Sequence, residues 1–434
     1  MKTIHSLIKA TLGAVVLLSV VGCEKNLYDE QAYEEFIKYN SPVDSVDQYH
    51  EWKLTAERSY QIKANVDFDI EKAMLLTANP LTTSSTVYIM NQSPMAKGES
   101  KWLTVSVPLT QTTLYAALVD KDGYYYVKSF PITQQEVDFS GALNSGTPLG
   151  TLKPQTYTYI YEKDFPLCGD YDYNDIVMRI GLERTESKQM QIHVTLAAVG
   201  CDVQCAAFIR LLGVNYNAID SVTTINGKTF DDKLPAGSRE MINNTQTYRT
   251  GQKGTEAVIT LFNDAHWAMD NTQILTENSG SIPVRKIYNT SLTVGEEYES
   301  RPVVSQTYTV YFNSEEAVDK MSLESIDPFI VAFYNSARYE THLDSYKAAQ
   351  VMYQYNVEAK IKDLPWALLV PSADFKYPLE GIQLGFRKRT DTGVVFNDGA
   401  YATSGRSFGE WVENHQSCLN WYNYPETDKI WIFF

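Results

Sequence analysis

Histidine is scarce in this chain, and what there is stands in the wrong places for hydrolytic metal chemistry. The six histidines are His5, His50, His193, His266, His342 and His415. No two of them form H-x-H or H-E-x-x-H, so the signature of a zinc hydrolase is missing. No G-x-S-x-G elbow occurs either, which removes the strand–turn–helix serine nucleophile. Basic residues are outnumbered, 37 Lys and Arg against 53 Asp and Glu, for a formal charge of −16. That balance argues against nucleic acid or an anionic lipid surface as a partner. No apolar run reaches the roughly 20 residues that a spanning helix needs. Long helical periodicity is scarce, no internal repeat of fixed period is visible, and cysteine is limited to five residues.

One of those cysteines closes the most informative segment. Lys2 and Lys9 make the N-terminus positive, and Ala10 to Val21 form a twelve-residue apolar core ending at Val20-Val21-Gly22-Cys23. A signal peptide carries about 7–15 apolar residues before small residues at its cut. A small residue followed directly by cysteine is the lipoprotein form of that cut, in which the thiol receives diacylglycerol. Two or more acyl chains then anchor stably where one does not. The expectation is a signal over residues 1–22, a diacylglycerol lipid on Cys23, and an outer-membrane, lipid-anchored protein open to the cell surface. An ordinary secretory signal that happens to contain Cys23 is the plainer alternative, although no A-x-A site competes nearby. Removing residues 1–22 deletes two lysines and no acids, leaving a charge of −18. Residues 23–50 then read as an acidic tether with a short helix through Ala32-Tyr33-Glu34-Glu35-Phe36.

Beyond the tether the pattern turns to short alternating runs. Leu103, Val105 and Val107 alternate with Thr104 and Ser106. Leu114–Val119 leads through Asp120-Lys121-Asp122-Gly123 into Tyr124–Val127, and an Asp-Gly between two β-prone runs signals a hairpin. Residues 51–135 are expected to form a small β-sandwich. Residues 136–155, with Ser140-Gly141, Ser145-Gly146 and Pro148, read as a linker. Residues 156–434 are again strand-rich: Thr156–Tyr161 alternates, as do Met190, Ile192, Val194 and Leu196 against Gln191, His193 and Thr195. Thirty tyrosines against seventeen phenylalanines suit half-exposed sheet faces. The fold class is all-β, a small N-terminal sandwich followed by a larger one.

The densest chemical signal is Gly169-Asp170-Tyr171-Asp172-Tyr173-Asn174-Asp175. Ca²⁺ takes six to eight oxygens at about 2.3–2.6 Å, and a D-x-D-x-N spacing places three oxygen donors on one side of a tight turn. It is not an EF-hand, because Asp175 stands where that loop needs glycine and Gly181 where it needs glutamate. The expected Ca²⁺ ligands are Asp170, Asp172, Asn174 and Asp175, with Glu162 and Asp164 completing the shell from the preceding strand. The competing reading is an Asx-rich turn whose carboxylates cap backbone N–H groups.

Glu162-x-Asp164 followed by Gly169–Val177 resembles the hallmark segment of LruC-domain lipoproteins, exported proteins of Bacteroides-type bacteria with largely undefined function. Leu261-Phe262-Asn263-Asp264-Ala265-His266 is similar to that family's Phe-Asp-Ala-His stretch. Asp327-Pro328-Phe329-Ile330 is similar to its Asn-Pro-Phe-Ile, with Asp for Asn, and Glu340-Thr341-His342-Leu343 to its Glu-x-His-Leu strand. Leu364-Pro365-Trp366-Ala367, Pro371, Phe375–Glu380, Phe408, Trp411 and Trp421-Tyr422 extend the likeness to the C-terminus. One departure is Gly200-Cys201 leading to Ala206-Ala207-Phe208, where the family tends to carry Asn-Gly-Phe. The resemblance implies an exported β-domain with bound Ca²⁺ and supplies no catalytic residues.

Asp264 with His266, and Glu340 with His342, are i,i+2 pairs that share a strand face and could join a base to its orienter. Satisfied structural histidines are the simpler reading. Two carboxylates from distant strands could still make a glycosidase, since spatial separation decides that. Trp366, Trp411, Trp421 and Trp431 crowd the C-terminal stretch, either as a sugar-stacking face or as core. Ile430-Trp431-Ile432-Phe433-Phe434 reads as a last strand of its own sheet, or as one donated to a neighbouring subunit. Cys168, Cys201, Cys205 and Cys418 fit two disulfides with three connectivities, or buried free thiols. A zinc site at Cys201-x-x-x-Cys205 lacks further ligands at the right spacing. The expected role is adhesion or capture of a glycan or protein ligand, without catalysis. A fimbria-associated anchor or tip subunit, with fimbrial subunits as partners, and a glycan-processing hydrolase are the alternatives.

Overall fold

The computed structural model describes residues 46–163, 169–233, 256–270, 274–276, 283–293, 298–334, 337–343, 364–389, 392 and 395–432. Cys23, the tether before residue 46, Asp164 and Cys168 lie outside the described residues. The architecture is all-β, as expected.

Nine strands build the N-terminal unit: β1 (Thr55–Lys63), β2 (Lys72–Leu76), β3 (Val87–Pro94), β4 (Ser100–Pro108), β5 (Thr113–Val119), β6 (Tyr125–Pro131), β7 (Glu136–Asp138), β8 (Asn144–Gly146) and β9 (Leu152–Pro154). They form a three-stranded sheet, β4-β1-β7, facing a six-stranded one, β8-β6-β5-β2-β3-β9. The alternation explains the pairing of faces. Leu103, Val105 and Val107 enter a core with Tyr60, Ile62, Leu75, Leu114 and Phe130, whereas Trp102 points to solvent. At the β5–β6 hairpin the Asp120 carboxylate accepts the N–H groups of Asp122 and Tyr124, each at 2.9 Å, and Gly123 takes a φ of +79°. That is the conformation glycine adopts at no steric cost.

Residues 136–155 are not a free linker. β7 pairs parallel with β1, β8 antiparallel with β6, and β9 parallel with β3. Three-residue strands are too short to show a period, although Val137 of β7 is buried in the core between exposed Glu136 and Asp138.

The second unit contains β10 (Thr156–Tyr161), β11 (Ile176–Glu186), β12 (Gln189–Ala198), β13 (Gln204–Asn215), β14 (Ile219–Thr224) and β15 (Glu256–Phe262). Four short strands follow, β16 (Ile274–Thr276), β17 (Pro283–Arg285), β18 (Ile287–Tyr288) and β19 (Tyr298–Glu299), then β20 (Val304–Phe312), β21 (Ile326–Tyr334), β22 (Ala337–Thr341) and β23 (Ala367–Val370). A six-stranded sheet, β14-β20-β12-β11-β10-β23, packs on a four-stranded one, β15-β13-β21-β22. Between them lie Met190, Ile192, Val194 and Leu196 with Tyr157, Tyr159, Ile209 and Ile330.

A third layer covers the other face of the larger sheet. Ile160, Val177, Ala198 and Leu368 meet Phe375, Tyr401, Phe408, Trp411, Trp421 and Trp431 there. Trp411 and Trp421 are each 0 % exposed, with ring centroids 6.1 Å apart. The C-terminal tryptophans Trp411, Trp421 and Trp431 are therefore core and do not form a sugar-stacking face. Burial on both faces also accounts for the tyrosines of β10, which are enclosed where half-exposure was expected; Tyr157 and Tyr161 donate their hydroxyls to the carbonyls of Ser106 and Pro328 at 3.0 and 2.6 Å. At the C-terminal end Ile430 makes a single bridge with Pro378, and the Trp431 N–H donates to Tyr377 O at 2.9 Å. The tail thus pairs within its own chain, through an isolated bridge and not a full strand.

The two units meet at Arg184, which donates to Asp319 at 2.5 Å and Glu315 at 3.0 Å, while Lys101 of β4 reaches the same Glu315 at 2.7 Å.

Because Trp421 touches Phe375, Tyr401, Phe408 and Trp411 at once, Trp421→Ala is expected to cost about 3–5 kcal/mol. Exposed Trp102→Ala should stay within about 0.5 kcal/mol. Urea unfolding of the two variants measures both.

Candidate metal centre

Beyond Tyr161 the chain leaves β10 with Glu162, whose N–H donates to Trp366 O at 2.8 Å. It returns through Gly169 to a turn that alternates acids with left-handed tyrosines, Tyr171 at φ +61° and Tyr173 at φ +54°. Non-glycine residues in that region cost about 1–3 kcal/mol each. Burial of both rings in the third-layer core holds them there, and the Tyr173 hydroxyl donates to Pro365 O at 2.6 Å. With the rings facing inward, the intervening Asp170 and Asp172 side chains come together with Glu162. One oxygen of each lies within 4.8 Å of the others. Ca²⁺–oxygen distances of about 2.3–2.6 Å place opposite ligands about 5 Å apart, so this spacing fits one coordination shell.

Glu162 and Asp172 are each 1 % exposed, and Asp170 is exposed, giving solvent access on one side. Glu162 Oε1 accepts the Tyr173 N–H at 2.7 Å, but Oε2 is buried without a hydrogen-bond partner. A Cβ on Gly169 would stand 2.1 Å from it, so any side chain at position 169 would displace this carboxylate. Asp172 accepts the N–H groups of Asn174 at 3.1 Å and Gly381 at 2.8 Å. Burial, and then the charges of Asp175, Asp172 and Asp170, push Glu162 well above the usual carboxylate range. Asp172 is raised likewise, by burial and then by Asp170 and Glu380. Several acids facing one another without enough positive charge favour protonation. A hard divalent cation supplies the missing charge, and an all-carboxylate donor set suits Ca²⁺.

Three of the expected ligands converge and two do other work. Asp175 Oδ2 accepts the Lys163 N–H at 2.7 Å, and its Oδ1 lies 3.7 Å from the Lys163 ammonium. The Asn174 amide donates to Pro378 O at 3.2 Å, and a Cβ on Gly200 would sit 2.2 Å from its Oδ1. Glu380 adjoins the centre from the third layer and was not anticipated as a site residue. Burial, offset in part by the Thr290 hydroxyl, and then the charge of Asp170 raise its carboxyl to about 7. No local spacing signals it, because it lies far from the turn in sequence. Cys201, Cys205 and Cys418 are free thiols, and no disulfide joins them.

Elsewhere, a cleft of about 540 Å³ opens where the N-terminal unit meets the second, lined by Tyr49, Trp52, Glu57, Leu109, Glu324 and His415 among others. Glu324 accepts the hydroxyls of Thr55 and Ser106, and Glu57 that of Ser322, which fixes two carboxylates at its wall.

A family model described as a domain of unknown function, DUF4842, matches residues 186–386. The match begins after the acidic turn and takes in Glu380. No curated protein matches. A crystal structure of a candidate lipoprotein from Bacteroides ovatus aligns with a TM-score of 0.47 at 12% identity, covering 84% of this chain and 100% of that one. Among the described residues no helix is long and apolar enough to cross a membrane.

The two histidine pairs are bound into the structure. Asp264 caps a short helix, α1 (Ala265–Met269), by accepting the His266 N–H at 3.0 Å, and it also pairs with Arg285. His266 Nε2 lies 2.8 Å from Cys201 O, so it donates there. His342 contacts Asp327 at 2.7 Å and Glu340 at 3.3 Å, and it stacks on Phe329. Burial opposes its charged form, but Asp327 and Glu340 outweigh that and raise it to about 9. A histidine raised in the folded state stabilises fully below its unfolded value of about 6.5 and loses that contribution as pH climbs. The stability gap between wild type and His342→Gln should therefore be widest at pH 6 and close as pH passes through about 9. Urea midpoints of both proteins across pH 6–10 give the check; a gap that stays constant would mean that His342 is neutral throughout.

Proposed function

We propose that this is a lipid-anchored module of the bacterial cell envelope whose β framework is stabilised by Ca²⁺ and which captures a glycan or protein ligand without transforming it. The observation that carries the reading is the buried Glu162 Oε2, which has no donor and faces Asp170 and Asp172. An unpaired buried acceptor costs about 1–3 kcal/mol, and more when charged. An Asx turn leaves no such orphan. Export and anchoring rest on Gly22-Cys23 behind the apolar Ala10–Val21 core. The hydrogen bonds that hold His266 to Cys201 O and His342 to Asp327 and Glu340 support a non-catalytic role. The ligand's place is the cleft of about 540 Å³, where Glu57 and Glu324 can accept sugar hydroxyls or peptide N–H groups beside Tyr49.

Free Ca²⁺ at about 100 times Kd stabilises by roughly 2.7 kcal/mol, a rise of several degrees for a domain of this size. Thermal unfolding in EDTA and in millimolar Ca²⁺ should show that rise for wild type and lose it in Asp170→Asn/Asp172→Asn. Equal melting in both buffers would return the turn to an ordinary Asx motif.

Anchoring has its own test. Growth with an alkyne-tagged fatty acid should label the wild-type protein and leave Cys23→Ala unlabelled and released from the membrane fraction. Label retained by Cys23→Ala would place the lipid elsewhere.

A further inference from the structure

The outward positions of β1 and β4 form a surface that neither the acidic centre nor the packing of the fold uses. Their antiparallel register sets Gln61 opposite Trp102, Ser59 opposite Thr104 and Glu57 opposite Ser106. The residues between them, Tyr60, Ile62, Leu103 and Val105, fill the core of the N-terminal sandwich, so alternation turns this set outward. Trp102 is 50 % exposed, Glu57 and Ser59 are exposed, and Gln61 and Thr104 are half-buried. We propose that this strip, together with the cleft into which it runs, binds a neutral glycan chain, one sugar of which stacks on Trp102. Resting on the capture reading above, this selects a glycan over a protein as the ligand and extends the site beyond the cleft.

The indole stands at one end of the strip. Four residues along each strand, about 14 Å at the rise of an antiparallel pair, Glu57 and Ser106 meet the Ser322–Glu324 loop of the second unit. Ser106 donates its hydroxyl to Glu324 Oε1 at 2.7 Å, Thr55 donates to the same oxygen, and Ser322 donates to Glu57 Oε2 at 2.9 Å. One oxygen of each carboxylate is thereby fixed by the protein. The other, Oε2 of Glu324 and Oε1 of Glu57, accepts no hydrogen bond from the described residues, and both side chains line the cleft. Strip and cleft are therefore continuous through Glu57.

The chemistry of the strip selects its occupant. A sugar ring presents C–H groups on its faces and hydroxyls around its edge. An indole meets the first, and Gln61, Ser59, Thr104 and Glu57 meet the second. The Ser59 and Thr104 hydroxyls lie 2.9 Å apart, and a hydroxyl with one donor and two acceptor sites keeps capacity for a ligand beyond that bond. No aliphatic side chain stands among these outward positions, whereas a protein partner is held by a desolvated apolar core of several residues. Charge excludes anionic sugars. Lys63, the basic residue on this face of β1, is paired with Glu136 at 2.6 Å. At the cleft Lys53 stands against Glu51, Glu57 and Glu324, a balance that repels phosphate and uronate groups.

Calorimetric titration of the purified full-length protein decides this, with defined hexasaccharides as probes. The neutral set is the β-1,4-linked hexamers of glucose, mannose, xylose and N-acetylglucosamine and the α-1,4-linked hexamer of glucose, and the acidic control is the hexamer of galacturonic acid. At least one neutral hexamer should bind the wild type, and the acidic one should not. Trp102→Ala should weaken that binding about 10-fold, the size of one aromatic stacking contact. Trp102→Phe, which keeps a ring, should fall between the two, and Gln61→Ala should weaken binding as well. Wild-type affinity in Trp102→Ala together with loss in Glu324→Gln overturns the inference and leaves capture at the cleft standing. Binding of the acidic hexamer alone overturns it in the same way. No binding of any hexamer by the folded wild type overturns the inference together with the glycan half of the capture reading. Should Trp102→Ala fail to fold, Trp102→Phe and Gln61→Ala decide between the same outcomes.

Discussion

The rest of the structure depends on one constraint: β10 is covered on both faces, together with the ends of β11 and β12 beside the acidic turn. The four-stranded sheet lies on one side and the aromatic third layer on the other. A strand in that position has no water to satisfy its polar groups, so each must find a partner in the protein. Tyr157 and Tyr161 of β10 show how it is done, donating to backbone carbonyls of other segments, whereas the buried Tyr159 hydroxyl has no partner. The same enclosure makes Glu162 consequential. It is the first residue past the strand, still buried, and it carries a carboxylate into a place where ordinary pairing satisfies only one of its oxygens.

That oxygen separates the two readings of the acidic turn. Much of the turn behaves as an Asx motif does, since Asp172 accepts two backbone N–H groups and Asp175 accepts one. Glu162 caps a backbone donor too, the Tyr173 N–H on Oε1, and only its Oε2 is left without one. Two tyrosines in left-handed conformations cost about 1–3 kcal/mol each, and burying their rings returns about the same. The geometry is therefore close to neutral before electrostatics. Burial and the mutual repulsion of the acids push Glu162 and Asp172 well above the usual carboxylate range, and the triad could hold a metal ion.

The sequence shows the fold more clearly than the site. Alternation is legible where one sheet face is wet, as in Leu103, Val105 and Val107. It fades in β7, β8 and β9, because three residues are too few to establish a period even where one of them, Val137, is buried. Tyrosine content misleads for a related reason: an amphipathic ring suits a half-wet face, yet here Tyr157 and Tyr161 find carbonyls inside. Asp170, Asp172 and Glu162 could be picked out because oxygen donors cluster locally. Glu380, whose charge raises Asp172, could not, since it comes near them only once the third layer is laid down. Asn174 and Asp175 share the motif but are drawn to Pro378 O and Lys163, contacts that spacing does not reveal.

The third layer also receives the N-terminal end of the described chain. The Asp47 N–H donates to Val412 O at 3.0 Å, and its carboxylate pairs with His415 at 2.5 Å. His50 accepts the Trp52 N–H on Nδ1, so Nε2 bears the proton and donates to Trp411 O at 3.1 Å. Burial lowers this imidazole to about 4, which keeps it neutral and that hydrogen-bond pattern fixed across the physiological range. The segment leading out of the tether is thus stitched to the last part of the sequence before it enters β1. A pull on the chain ahead of Asp47 would load the aromatic layer first and the N-terminal sandwich second. Aromatic burial resists separation of layers but resists sliding less well, because it is insensitive to direction. Directional contacts at the edges of the layer are what limit sliding, and they lie at the Asp47–His415 stitch and at Glu380 and Gly381 beside the acidic centre.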